Sequence, residues 1–275
     1  SYVANHKVWD HVGNLIPIYN GSLFIPTTFI ELSTTTTDTI YNPAAIEASK
    51  VNDWYVWNSG SGLRLCHGVN WTSDTERNTS NTLVNGIWLN TSNIANGPAA
   101  LRGTWVGTTR SNASSQLDWI YGGLAAGGTA GWFGVWNCYN RVNVLSMTAD
   151  STASWNYAST TIRAANASAT IRHSYVMGLA EDSIDAFYNC LGNGTVGVVG
   201  CLAGIGHDAT NAYVGSVGDT SNSATANITA RYITAEMGFH FVSACESASA
   251  AATVTYVGTG ASFPGQSGFF FSTRM

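Results

Sequence analysis

Charge is what this sequence has least of. Only 10% of its 275 residues are Asp, Glu, Lys or Arg, against roughly 25% in an ordinary soluble domain. Lysine is confined to Lys7 and Lys50. Eleven cations and a net charge of −5 make no basic stripe, so nucleic acid is not an expected partner. No apolar run approaches the roughly 20 residues of a membrane span, so no membrane insertion is expected. The start, Ser1 to Lys7, lacks the apolar core that follows the basic start of a signal peptide. The chain is therefore expected to fold in a cytoplasm, unless a signal has already been removed.

Motifs of chemistry are missing too. The five cysteines, Cys66, Cys138, Cys190, Cys201 and Cys245, form no Cys-x-x-Cys pair, which argues against zinc. Their apolar neighbours point to buried free thiols, as in a reducing compartment. The six histidines, His6, His11, His67, His173, His207 and His240, lack a His-Glu-x-x-His spacing and read as framework residues. No Gly-x-Ser-x-Gly occurs. No catalytic, cofactor-binding or metal-binding residue is expected.

What the chain has is 45% hydrophobic residues and a polar surface built of Ser, Thr, Asn and Gly. Such a surface suits a rigid extracellular protein or one covered by neighbouring subunits. Asn20-Gly21 lies between Leu15–Tyr19 and Leu23–Ile25, and Asn85-Gly86 lies between Leu83-Val84 and Ile87–Leu89. Asn-Gly between apolar runs predicts a hairpin at each place. Asp53–Asn58 and Leu63–His67 read as two strands around the turn Ser59-Gly60-Ser61-Gly62. Thr28–Ser33 runs on into a β-branched threonine tract, and Leu101–Arg110 is a further strand. A short helical turn is predicted at Asn42–Ala48, with Asn42 as cap and Pro43 at the first position.

Residues 122–131 hold five glycines and read as a linker. Val135–Asp182 follows as three strand-like runs joined by short polar turns. Further strands are predicted at Ala186–Leu191, Thr195–Leu202, Asn211–Val217, Ala224–Glu236, Gly238–Ser243 and Ala252–Gly258. Turns every 8–12 residues or so indicate a sandwich or barrel. The expected fold is all-β, with two jelly-roll-like β-sandwich domains and few or no helices. Residues 1–121 form one domain and 132–275 the other.

Three features carry residues capable of chemistry. In Gly204-Ile205-Gly206-His207-Asp208, neighbours on an extended strand point to opposite faces. His207 and Asp208 are therefore not expected to act as a pair. Glu181, Asp182 and Asp185 could supply facing carboxylates for glycoside hydrolysis, but a solvated turn is the simpler reading. Ten tryptophans, the last at Trp155, could stack on sugars, yet most are expected in the core or at subunit contacts. Sequons such as Asn70-Trp71-Thr72 and Asn227-Ile228-Thr229 are a chance product of composition.

Several segments resemble a family of tailed-bacteriophage virion structural proteins, the tail-fibre or tail-associated proteins. They are Trp54–Trp57, Leu63-Arg64-Leu65, Trp71–Thr75, Trp105–Arg110 and Gln116–Trp119, then Trp136–Val142, Trp155-Asn156-Tyr157, Arg163–Asn166 and Gly178–Asp182. The likeness is best over residues 50–190, and Cys138 stands where a smaller residue is usual. It implies a non-enzymatic particle component, tail fibre, spike or head-decorating, located on the virion and assembled in the host cytoplasm. The implied partners are two further copies in a homotrimer, other virion proteins and a host-surface glycan. Trp136, Tyr139, Arg141, Trp155 and Arg163 are then framework residues. The competing expectations are a carbohydrate-binding module or polysaccharide depolymerase, and a secreted β-glycoprotein with disulfides.

Overall fold

The computed structural model describes residues 5–8, 14–193, 200–220, 226–249, 253–261 and 267–275. Among them no α-helix occurs, and the one helical element is a 3-10 turn at Ala165–Ala167. The fold is all-β, in several sheets.

The first four strands are β1 (Asn5–Val8), β2 (Leu15–Tyr19), β3 (Phe24–Thr28) and β4 (Leu32–Thr35). β1 pairs with β4, and β2 with β3 through the Asn20-Gly21 turn. Gly21 has φ +105°, and Asn20 Oδ1 accepts the Ser22 and Leu23 amides. The predicted helical turn at Asn42–Ala48 is absent. Asn42 is used elsewhere: its Oδ1 accepts the His67 amide at 2.9 Å, and its Nδ2 donates to Thr34. A cap committed to a neighbouring strand cannot hold a helix start.

β5 (Val51–Asn58), β6 (Leu63–His67), β7 (Asn81–Val84), β8 (Ile87–Asn90) and β9 (Thr104–Arg110) form a sheet in the order β6-β5-β9-β8-β7. Asn85 and Gly86 both have positive φ, 47° and 86°, as a two-residue hairpin turn demands. Every residue of β9 is buried, because both faces of this sheet are covered. One face packs Trp54, Val56 and Val106 against Ile16 and Ile18 of the β2–β3 hairpin. The other gives Tyr55, Cys66 and Trp105 to the main core. That explains why Asp53–Asn58 shows no period-two alternation.

β10 (Trp119–Ile120), β11 (Leu124–Ala125), β12 (Gly131–Phe133) and β13 (Val135–Asn137) come next. Residues 122–131, read as a linker, are thus tied into sheets: β11 pairs with β14 (Asn143–Asp150), and β12 pairs with β17 (Arg172–Met177). β13 returns to β9 of the preceding sheet. Between β14 and β17 lie β15 (Ser154–Tyr157) and β16 (Arg163–Ala164). The stretch 135–182, read as three strand-like runs, therefore supplies five strands to three sheets.

The remaining strands are β18 (Ile184–Asn193), β19 (Cys201–His207), β20 (Val214–Thr220), β21 (Ala226–Thr234), β22 (Gly238–Ala248), β23 (Val254–Val257) and β24 (Gly268–Arg274). Of the predicted strands here, residues 195–199, 224–225 and 252 lie outside the described residues. One seven-stranded sheet runs β10-β12-β17-β22-β19-β20, with β16 on β22. The other runs β11-β14-β24-β18-β23-β15, with β21 on β18. The two face each other across the main core. Phe133 stacks on Phe271 at 5.4 Å and Tyr175 meets Phe271 at 5.3 Å across the core, while Trp155 stacks on Tyr256 within the second sheet.

Candidate functional site

The acidic triplet is divided between two arginines. Glu181 and Asp182 both bind Arg141, whose guanidinium lies over the Trp136 ring at 4.7 Å. Asp185 forms a two-pronged pair with Arg231 at 2.9 and 2.6 Å. All three carboxylates are thus engaged in ion pairs. Of the nine described tryptophans, Trp54, Trp71, Trp105, Trp136 and Trp155 are buried, and Trp57, Trp88, Trp119 and Trp132 are half-buried; Trp9 lies outside the described residues. Among the residues read as framework, Trp136 and Trp155 are buried and Arg163 binds Glu246, whereas Tyr139 is half exposed. All five cysteines are free thiols, and all but Cys138 are buried. Burial pushes the Cys190 thiol up to about 12 and the Cys138 thiol up to about 11.

The histidines part company. His67 sits between the Gly68 and Ala44 carbonyls at 2.7 and 3.0 Å. His173 is buried among Phe133, Phe269 and Phe271. His207 and His240, by contrast, stack at 5.1 Å between ring centroids, and Asp208 joins them. The expectation that His207 and Asp208 diverge fails for a local reason. β19 ends at His207, and Asp208 takes a left-handed φ of 50°. This turn brings its carboxylate back beside the His207 ring, with Oδ2 3.9 Å from Nε2. His240 arrives on β22, the neighbour of β19. Its Nδ1 lies 2.7 Å from the same Oδ2.

Asp208 and His240 are held from behind. The Phe241 amide donates to Asp208 Oδ1 at 2.9 Å, and His240 Nε2 lies 3.2 Å from the Met237 carbonyl. The Tyr175 hydroxyl reaches His207 Nε2 at 3.4 Å. Glu236 Oε2 stands 3.9 Å from Nε2 of both rings, while its Oε1 accepts the Thr234 hydroxyl at 2.6 Å. Burial alone would lower the His240 pKa, but the Asp208 carboxylate and the Met237 carbonyl raise it above the ordinary value. Burial would raise Asp208, yet His240, the Phe241 amide and His207 hold it below the carboxylate range. Nothing in the one-dimensional spacing links His207 with His240; only the antiparallel register His207↔Val242 does so.

Two further features lie on the molecular surface. On the outer face of the β14–β24–β18 sheet, Leu145 and Met147 project 71% and 41% exposed. The pairings Met147↔Phe270 and Phe187↔Phe270 place three apolar side chains in one cross-strand row. Tyr121 and Leu124 are also exposed, beside the same sheet edge. Elsewhere a groove of about 470 Å³ is lined by Tyr19, Asn20, Trp57, Asn58 and Arg102. A scan against protein-family models finds no match, and a search of curated proteins finds none either.

Proposed function

We propose that this chain is a non-enzymatic structural component of a tailed-phage particle, a tail fibre, spike or head-decorating protein that associates with copies of itself and contributes to host-surface attachment. The observation that supports it most is the apolar outer row Met147–Phe270–Phe187, with Leu145 beside it. In a chain with only 10% charged residues, such a sheet face favours burial against another subunit. Light scattering on the purified protein should give a trimer resistant to heat and SDS. Met147→Lys together with Leu145→Lys should dissociate it. A wild-type monomer at micromolar concentration overturns the reading.

The groove favours a second reading, carbohydrate binding. Trp57 and Tyr19 offer ring surface, and Asn20, Asn58 and Arg102 offer polar groups beside it, the combination that recognises a sugar face and its hydroxyls. Binding on a glycan panel that disappears in Trp57→Ala would support it. An empty panel for the wild type removes it.

A further inference from the structure

We propose that His207, Asp208 and His240 bind one divalent first-row transition metal ion, with zinc as the natural probe. The three donor atoms all lie within 4.8 Å of one another. Metal–nitrogen and metal–oxygen bonds of about 2.0–2.2 Å allow two ligands of one ion to lie up to about 4.2 Å apart. The separations of 2.7 Å between His240 Nδ1 and Asp208 Oδ2, and of 3.9 Å between Asp208 Oδ2 and His207 Nε2, already fall inside that span. Only the two rings need draw together, and they are already stacked.

Two of the three ligands, His240 and Asp208, have the outer contacts that orient a metal ligand, and the Tyr175 hydroxyl at 3.4 Å from His207 Nε2 would give way to the ion. A ligating imidazole is oriented when its other nitrogen donates to a carbonyl or carboxylate. His240 Nε2 faces the Met237 carbonyl at 3.2 Å, leaving Nδ1 for an ion. The Phe241 amide occupies Asp208 Oδ1, leaving Oδ2. His207 and His240 are 12% and 6% exposed at the side chain, while Asp208 is 44% exposed, so the rings are fixed and an entry path remains. Two imidazoles with one carboxylate suit zinc, iron(II), cobalt or nickel; calcium and magnesium prefer all-oxygen sets. Three protein ligands leave a further position open to water, and Glu236 Oε2 stands 3.9 Å from Nε2 of each ring.

Without an ion, His240 Nδ1 faces Asp208 Oδ2 at 2.7 Å and its Nε2 faces the Met237 carbonyl at 3.2 Å. Ligation requires a neutral imidazole and an ionised carboxylate, so affinity should weaken as pH falls.

The test uses the full chain, stripped with chelator and titrated with zinc, with metal content measured after dialysis. One zinc per chain is expected. Cobalt substitution should give visible d–d bands without the thiolate charge-transfer band that ligation by any of the five cysteines would produce. His207→Gln and Asp208→Asn should each weaken binding at least as much as the roughly 10–100-fold known for lost second-shell partners. Asp208→Asn keeps an oxygen for the Phe241 amide, and circular dichroism checks that each variant retains its β fold. Should either variant misfold, the wild-type stoichiometry and cobalt spectrum still decide. Substoichiometric binding, a thiolate band, or unchanged affinity in folded variants overturns the site.

Discussion

Arg77 grips Asp53 from the side: its Nε donates to Oδ2 at 2.7 Å and its Nη2 to Oδ1 at 3.2 Å. Neither side chain has much access to water, 12% for Arg77 and 5% for Asp53. The carboxylate also accepts the indoles of Trp71 and Trp105 and the Thr108 hydroxyl. The guanidinium lies over both of those rings, and it donates to the Gly178 carbonyl at 2.6 Å. The pair thus fastens β5 to the segment that follows β17.

Asp53→Ala would leave a guanidinium, two indoles and a hydroxyl without their acceptor. Breaking one side of a buried pair costs about 3–5 kcal/mol, so urea denaturation should show a loss of that order. Arg77→Lys should lose much of the same stability, because an ammonium cannot reproduce the two-pronged grip or lie flat on the rings. A loss under about 1 kcal/mol for Asp53→Ala, the value of an exposed pair, would show that the network contributes little.

Gly178→Ala tests the next contact along. A Cβ there would lie 2.4 Å from the Trp136 ring. Trp136 has no room to retreat: it stacks on Trp105, and Arg141 covers it. Overpacking of this kind costs roughly 1–3 kcal/mol. Gly60→Ala makes the comparison, since nothing lies within 4 Å of its Cβ but its φ is +87°. Its smaller penalty would be conformational. Equal thermal shifts for the two would refute the steric account.

Much of this fold is legible in sequence because it is local. Both Asn-Gly hairpins and the β5–β6 pair are read from turn chemistry and short apolar runs. β24 is not among the predicted strands, although it lies between β14 and β18 at the centre of its sheet. Its Phe269-Phe270-Phe271 run has no alternation, and its pairing partners lie about 80 or more residues away. The His207–Asp208–His240 cluster is hidden for related reasons. It depends on a left-handed residue and on the β19–β22 register, and neither leaves a mark on spacing.

His173 makes stability depend on pH on the acid side. Burial lowers its pKa from 6.5 to about 4, since its neighbours are phenylalanine rings, the Thr148 hydroxyl and the Phe269 carbonyl. With the folded value depressed, the unfolded chain takes up the proton first. The contribution is complete above 6.5 and is lost as pH falls toward 4, a change of roughly 3 kcal/mol. His173→Phe should flatten that descent in urea titrations at a series of pH values. An unaltered slope would count against it.

Glu246 acts in the opposite sense. Its side chain is fully buried, yet it accepts Trp155 Nε1 at 2.7 Å and Arg163 Nε at 2.8 Å. Burial raises its pKa, and the bonds from Trp155 and Arg163 offset only part of the rise. A carboxyl whose folded pKa is raised contributes most below its unfolded value near 4.5. That contribution is lost as pH climbs through the folded value, because the ionised form is the one burial penalises. Glu246→Gln cannot ionise, and its amide oxygen can still accept the Trp155 indole. The variant should therefore gain on the wild type as pH rises from about 4.5 toward neutrality. Glu246→Leu would remove the acceptor altogether and leave the indole and Arg163 unmatched, so it should be destabilised at every pH. Paired urea curves for the wild type and Glu246→Gln decide the point: a gap that stays constant with pH would mean that Arg163 fully compensates the buried charge.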